Sequence, residues 1–237
     1  MLGNIWNFVY QPFLWLLVEL YKTIGSFGLA IIALTGLARA ALFPLTLPSY
    51  KSMKKMEKIK PQIDELNKKH KGDKQKLASE QMKLYQEHGV NPMAGCLPQI
   101  LQIFLVFVLY RVFFDFLQKG EVDGVAVNMN FLWLNLAKPD PYYIFPILAG
   151  VSQLALSLVM MNKEARKKVF DFSGKKKGEE KSTMEEFGGA MQKQMVLVMP
   201  VMIVFLTLKF PSGLALYWTT SSVFILLQQL YINKKYK

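Results

Sequence analysis

Apolar residues gather in five long stretches, running from Ile24 to Leu47, Leu97 to Leu117, Tyr142 to Met161, Met195 to Leu208 and Phe210 to Ile232. Four of them reach or approach the ~20 residues that a helix needs to cross a bilayer. The fourth has 14 residues, which at ~1.5 Å per residue covers ~21 Å of a ~30 Å hydrocarbon core. Only Lys209 separates it from the fifth, so the two read as a tight hairpin turning at Lys209-Phe210-Pro211-Ser212-Gly213. The pattern predicts an all-α polytopic membrane protein with five transmembrane helices at 24–47, 97–117, 142–161, 195–208 and 210–232.

Residues 2–22 read differently. Asn4, Asn7, Gln11, Glu19 and Lys22 fall close to one helical stripe, and Trp6, Phe8, Phe13, Leu16, Leu17 and Leu20 cover most of the rest. This predicts an amphipathic helix lying in the external membrane interface rather than a span. A signal peptide needs a basic start and a small-residue cleavage site. Neither is present, nor is a lipobox cysteine, so the chain is expected to start as a mature or unprocessed form.

Charge fixes the expected orientation. The chain is 52% hydrophobic, yet it holds 29 Lys+Arg against 17 Asp+Glu, a formal +12. A composition both apolar and basic disfavours disorder and a plain soluble enzyme. Residues 51–92 carry 11 lysines against 6 acids, residues 162–194 carry 9 basic residues against 6 acids, and the tail 233–237 adds Lys234, Lys235 and Lys237. Twenty-three of the 29 basic residues thus lie in segments that alternate to one side. The positive-inside rule makes that side the cytoplasm. The N-terminus is then outside and the C-terminus cytoplasmic, with 118–140 an external loop.

The first basic segment, 50–90, is patterned. Met53, Met56, Ile59, Ile63 and Leu66 recur at helical steps, His70-Lys71-Gly72-Asp73 reads as a turn with Asp73 as N-cap, and a second helix runs to His88 before Gly89 and Asn91-Pro92. The prediction is a cytoplasmic helical hairpin, either a solvated spacer or a docking arm for a partner or anionic lipid. Residues 162–194, with Ser173-Gly174-Lys175-Lys176-Lys177-Gly178, read as a flexible cytoplasmic loop.

Arg39 stands out inside the first span, about eight residues or ~12 Å of helix from its cytoplasmic end. Leaving that charge in lipid costs at least about 2.5–3.5 kcal/mol on insertion scales, so such a residue faces a bundle interior or a hydrated cavity and marks function. No Asp or Glu lies mid-span to pair with it, and Asp115 is near the outer end of the second span. Thr35 lies one turn away on the same face. Gln99 and Gln102 are on the second span, Gln153 on the third, and Thr219, Thr220, Ser221 and Ser222 on the fifth. Each alone reads as an interhelical hydrogen bond. Together with Arg39 they point to a polar groove, which in-span Pro44, Pro98, Pro146 and Pro200 would help to open.

The residues also resemble the YidC/Oxa/Albino membrane-protein insertase family. The likeness lies in Thr35 through Arg39 to Phe43-Pro44-Leu45-Thr46, in Asn91-Pro92-Met93-Ala94-Gly95-Cys96-Leu97-Pro98, in Asp140-Pro141-Tyr142-Tyr143-Ile144-Phe145-Pro146, and in Phe210-Pro211-Ser212-Gly213-Leu214-Ala215-Leu216-Tyr217-Trp218. The resemblance implies a five-helix core with a cytoplasmic hairpin and a hydrophilic groove open to cytoplasm and lipid but closed outside. It implies that Arg39 is the groove arginine, Thr35 the groove threonine and Trp218 a substrate-contacting aromatic. Gln102 and Gln153 are expected to line the groove, with Gln99, Thr219 and Ser222 as further candidates. The sequence is expected to depart from some bacterial members in having no extra N-terminal span or large external domain, and in a short basic tail.

The implied function is insertion of nascent membrane proteins into the bacterial inner membrane, alone or with the Sec translocon. Nascent membrane proteins and anionic lipids are the expected partners, the ribosome is a compatible one, DNA is not, and the chain is expected to act as a monomer. No enzyme activity, cofactor or metal is expected: there is no P-loop or catalytic dyad, and Cys96 stands alone. Two rivals remain, a small-anion transporter or channel centred on Arg39, and a nucleic-acid-binding anchor using the lysine hairpin.

Overall fold

A computed structural model describes residues 2–70, 73–91, 97–119, 121–122, 124–161, 166–167, 170 and 194–235. The predicted flexible loop at 162–194 and the motif at 92–96 lie almost wholly outside these residues, as do the side chains of Gln99 and Asp115. Helix α1 (Leu2–Ile24) ends on Gly25, whose φ of +75° and amide bond to the Tyr21 carbonyl (2.8 Å) close the turn. Its buried side chains Tyr10, Leu14, Leu17 and Val18 recur at helical spacing and join one apolar core with residues of the helices that follow.

Helix α2 (Phe27–Lys69) is one unbroken run of 43 residues, ~64 Å long. The first apolar stretch and the first arm of the basic hairpin are therefore a single helix. Pro44, Pro48 and Pro61 lie inside it. Thr46, between the first two, turns its hydroxyl onto the Leu42 and Phe43 carbonyls (3.2 and 3.1 Å), the back-bond a threonine makes within a helix. Beyond it, α3 (Lys74–Glu87) is capped by Asp73, whose side chain accepts from the Lys76 amide at 2.9 Å. Ile59 and Leu77 are buried along the α2–α3 pair, where Gln81 Nε2 also donates to Asn67 Oδ1 at 2.8 Å.

Helix α4 (Leu97–Lys119) buries Gln102, Leu105, Val108, Leu109 and Val112 and exposes Ile103, Phe107 and Tyr110. The segment expected as an external loop folds into two antiparallel hairpins, β1 (Glu121–Val122) with β2 (Val125–Ala126) and β3 (Asn130–Phe131) with β4 (Leu134–Asn135). The second is seated on the bundle. A Cβ at Gly28 of α2 would overlap the Phe131 ring, and Leu134 and Leu136 are buried.

Three helices complete the bundle: α5 (Ile144–Met160), α6 (Met199–Lys209), which continues a π turn at Gln194–Val198, and α7 (Ser212–Lys235). Helix α7 packs on α2 and α5, and its residues from Ser212 to Tyr217 are all buried. The α6–α7 turn is tied to the β4 side by Ser212 N–Lys138 O (2.8 Å), Gly213 N–Leu136 O (3.1 Å) and Ser212 Oγ–Asn135 O (2.9 Å). Those bonds satisfy part of the unpaired first turn of α7. Among the described residues, α2 alone is long and apolar enough to cross a membrane by length and composition, and 100–112, 144–160 and 196–209 are shorter apolar helices.

Candidate functional site

The bundle surrounds a polar cluster built by α2, α4 and α7. Arg39 is only 5% exposed. Its Nε donates to Ser221 Oγ at 3.0 Å, and Nη2 donates to the same oxygen. Ser221 in turn donates to Gln102 Oε1 at 3.1 Å. The chain Arg39–Ser221–Gln102 thus crosses from α2 through α7 to α4. Among the described residues no carboxylate pairs with Arg39, and the neutral phenols of Tyr217 and Tyr50 lie near it. A guanidinium never loses its proton in such a setting, so one positive charge stands in the bundle with neutral oxygen partners.

Helical spacing sorts the α7 residues onto two stripes. Tyr217 and Ser221, four apart, face Arg39 and Gln102. The Tyr217 hydroxyl is buried and makes no hydrogen bond of standard geometry. Trp218 and Ser222, also four apart, lie on the neighbouring stripe toward α5, where Ser222 donates to Gln153 Oε1 at 3.4 Å. The Trp218 indole N–H is buried and unpartnered.

Of the residues expected in the groove, Arg39 and Gln102 are joined through Ser221, and Gln153 is joined to Ser222. Thr35 is buried and spends its hydroxyl on the Ile31 carbonyl (2.6 Å), and Thr219 does the same toward Ala215 (2.9 Å). Thr35 still borders the cluster. It lines a cavity of about 10 Å³ with Tyr217, Phe13, Leu34, Ala38, Leu105 and Leu109, room for about one water. Tyr217, Tyr50 and Gln228 were not singled out from sequence. The available signal was the four-residue step from Tyr217 to Ser221. Among the described residues no group of three or more His, Cys, Asp or Glu side chains is placed to hold a metal ion.

The outside of the bundle is apolar. Ile103 and Phe107 of α4, Ile147 and Val151 of α5, and Val201 and Phe205 of α6 are each about half exposed or more. Exposed apolar side chains on three helices mark a surface that contacts a membrane or another protein. An apolar exterior on a helical bundle that holds a buried cation fits one class, a helical membrane protein.

The comparisons identify the family. A family model described as 60Kd inner membrane protein matches residues 19–237. The chain is 36% identical over 234 residues to a membrane protein insertase YidC of Fusobacterium nucleatum, covering 99% of each. It is 38% identical over 229 residues to that of Wolinella succinogenes, covering 96% of this chain but 37% of the relative. The fold matches an active YidC insertase crystal structure with its first transmembrane domain resolved, at TM-score 0.65 and 24% identity over 98% of this chain and 47% of that one. The chain belongs to the YidC/Oxa/Albino family of inner-membrane proteins.

Proposed function

We propose that this chain is a membrane-protein insertase whose substrate groove is centred on Arg39. The observation that carries the reading is a guanidinium 5% exposed and bonded to a neutral hydroxyl. Its attraction for an acidic group is stronger there than in bulk water. A nascent membrane segment with a short acidic external tail enters from the cytoplasm, and the tail meets Arg39. Partition of a ~20-residue apolar span into lipid then drives release, so the cycle needs no nucleotide. Thr35, Gln102, Gln153 and Trp218 border the path, with Thr219 and Ser222 beside it. The names of the YidC relatives support this reading.

The same proposal places five spans in the bacterial inner membrane, with the N-terminus outside, α1 at the outer interface and the basic hairpin and tail in the cytoplasm. The lysines of that hairpin suit anionic lipid, a ribosome or a Sec translocon. Reconstituted insertion of small acidic-tailed membrane proteins tests it. Arg39→Lys should retain more activity than Arg39→Ala. Equal activity of wild type and Arg39→Ala on every such substrate would sink it, and Arg39-dependent anion flux would favour a transporter instead.

A further inference from the structure

Two-residue β-hairpin turns need φ > 0 at one or both central residues and are ordinarily filled by Gly, Asn or Asp. The β3–β4 turn is Leu132-Trp133, with Leu132 at φ +55° and 69% exposed. Tyr143, at the N-cap of α5, has φ +59°. These two are the non-glycine residues of positive φ among the described ones. Both lie in one patch, because Asp140 Oδ1 accepts from Trp133 Nε1 (3.3 Å) and from the Tyr142 amide (3.0 Å). Tyr142 and Tyr143 are 65% and 56% exposed. Uncommon backbone angles are thus used to display large apolar side chains, where small polar residues would form the turns more readily.

The patch runs into the outward apolar face of α5 at Ile147 and Val151. It lies at the Phe27 end of α2, where Phe131 abuts Gly28, and so at the end away from the basic hairpin. Trp and Tyr, with an apolar ring and a polar tip, are the side chains that collect at the lipid headgroup level. We propose that Leu132, Trp133, Tyr142 and Tyr143 form an anchor seated in the lipid interface of that leaflet. Because β4 and the residues after it are bonded to Ser212 and Gly213, the anchor sets the depth of α7 and its Ser221. The inference needs membrane residence only and does not rest on the insertase reading.

The test uses the full chain in phosphatidylethanolamine–phosphatidylglycerol vesicles, with Trp133 as sole tryptophan after Trp6, Trp15 and Trp218→Phe. Lipids brominated near the glycerol end of the acyl chain should quench Trp133 more than lipids brominated near the methyl end, and aqueous iodide should quench it little. Leu132→Gly with Tyr143→Asn suits both turns and keeps or raises thermal stability in detergent. It should nonetheless lose part of the bromolipid quenching. Strong iodide quenching, or protection from both quenchers as under a covering protein, overturns the proposal. Should the sole-tryptophan chain not fold, nitrobenzoxadiazole on Leu132→Cys in a Cys96→Ser chain reads the same depth against the same outcomes.

Discussion

Gln228 donates its side-chain amide to the backbone carbonyl of Arg39 at 3.0 Å. Ser221, two turns earlier on α7, holds the guanidinium of the same residue. Helix α7 therefore grips both the backbone and the charge of Arg39, and the site's geometry depends on the α2–α7 contact.

Removing the acceptor should be worse than removing the charge. Ser221→Ala leaves a buried guanidinium short of a partner, at a cost of about 1–3 kcal/mol. Arg39→Leu removes the ion and fills the space, which is often neutral or stabilising. Thermal unfolding in detergent should rank Arg39→Leu at or above wild type and Ser221→Ala below it. The Ser221→Ala penalty should shrink in the double variant. The reverse order would show that the cluster is a stabilising element.

Gly36 of α2 lies against the Phe224 ring of α7. A Cβ there would sit 2.8 Å from Phe224 Cζ. Gly36→Ala should destabilise by about 1–3 kcal/mol through overpacking, and Phe224→Leu should recover much of the loss. Absence of rescue in that double-mutant cycle would move the constraint elsewhere.

Asp140 is 2% exposed and accepts from the Phe145 amide (2.8 Å), the Tyr142 amide and the Trp133 indole. It acts as the cap of α5 and the pin of the β3–β4 tip. Asp140→Ala should cost about 1–3 kcal/mol for the stranded donors, with Asp140→Asn milder. Limited proteolysis should show cleavage moving to 132–143. An unchanged cleavage pattern would contradict the pinning role.

In the basic hairpin, Asn67 and Gln81 satisfy one another in a buried setting. Gln81→Leu alone should destabilise the α2–α3 pair. Asn67→Leu with Gln81→Leu should restore stability while loosening the register that a lone polar pair enforces. Cysteine cross-linking across the pair measures that register. A single cross-link position in the double variant would speak against it.

The helices were legible where one face differs from another. Asp73 announced its helix by residue type and turn context, and Arg39 was conspicuous because its surroundings are apolar. Helix α7 was harder. It is buried along two flanks, so polar and apolar residues surround it and no periodicity separates the Tyr217–Ser221 stripe from the Trp218–Ser222 stripe. The passage of α2 through Pro44 and Pro48 was obscured because local proline chemistry argues for an end there, while packing on α7 carries the helix onward. The β3–β4 hairpin was hidden for the opposite reason. Its turn holds none of the residues by which such turns are recognised.

The unbroken course of α2 makes the protein a lever. Arg39 and Lys69 are 30 residues apart on one helix, a shaft of ~45 Å. Its inner end lies in the bundle and its outer end carries the basic hairpin. Whatever leans on that outer end bears on the segment holding the buried cation, with the Lys54–Ile232, Gln228 and Ser221 bonds as the points that resist it. A load at the tip, from a particle docking on the lysines or from anionic lipid pulling them down, would reach the Lys54–Ile232 bond first and the bonds at Gln228 and Ser221 after it.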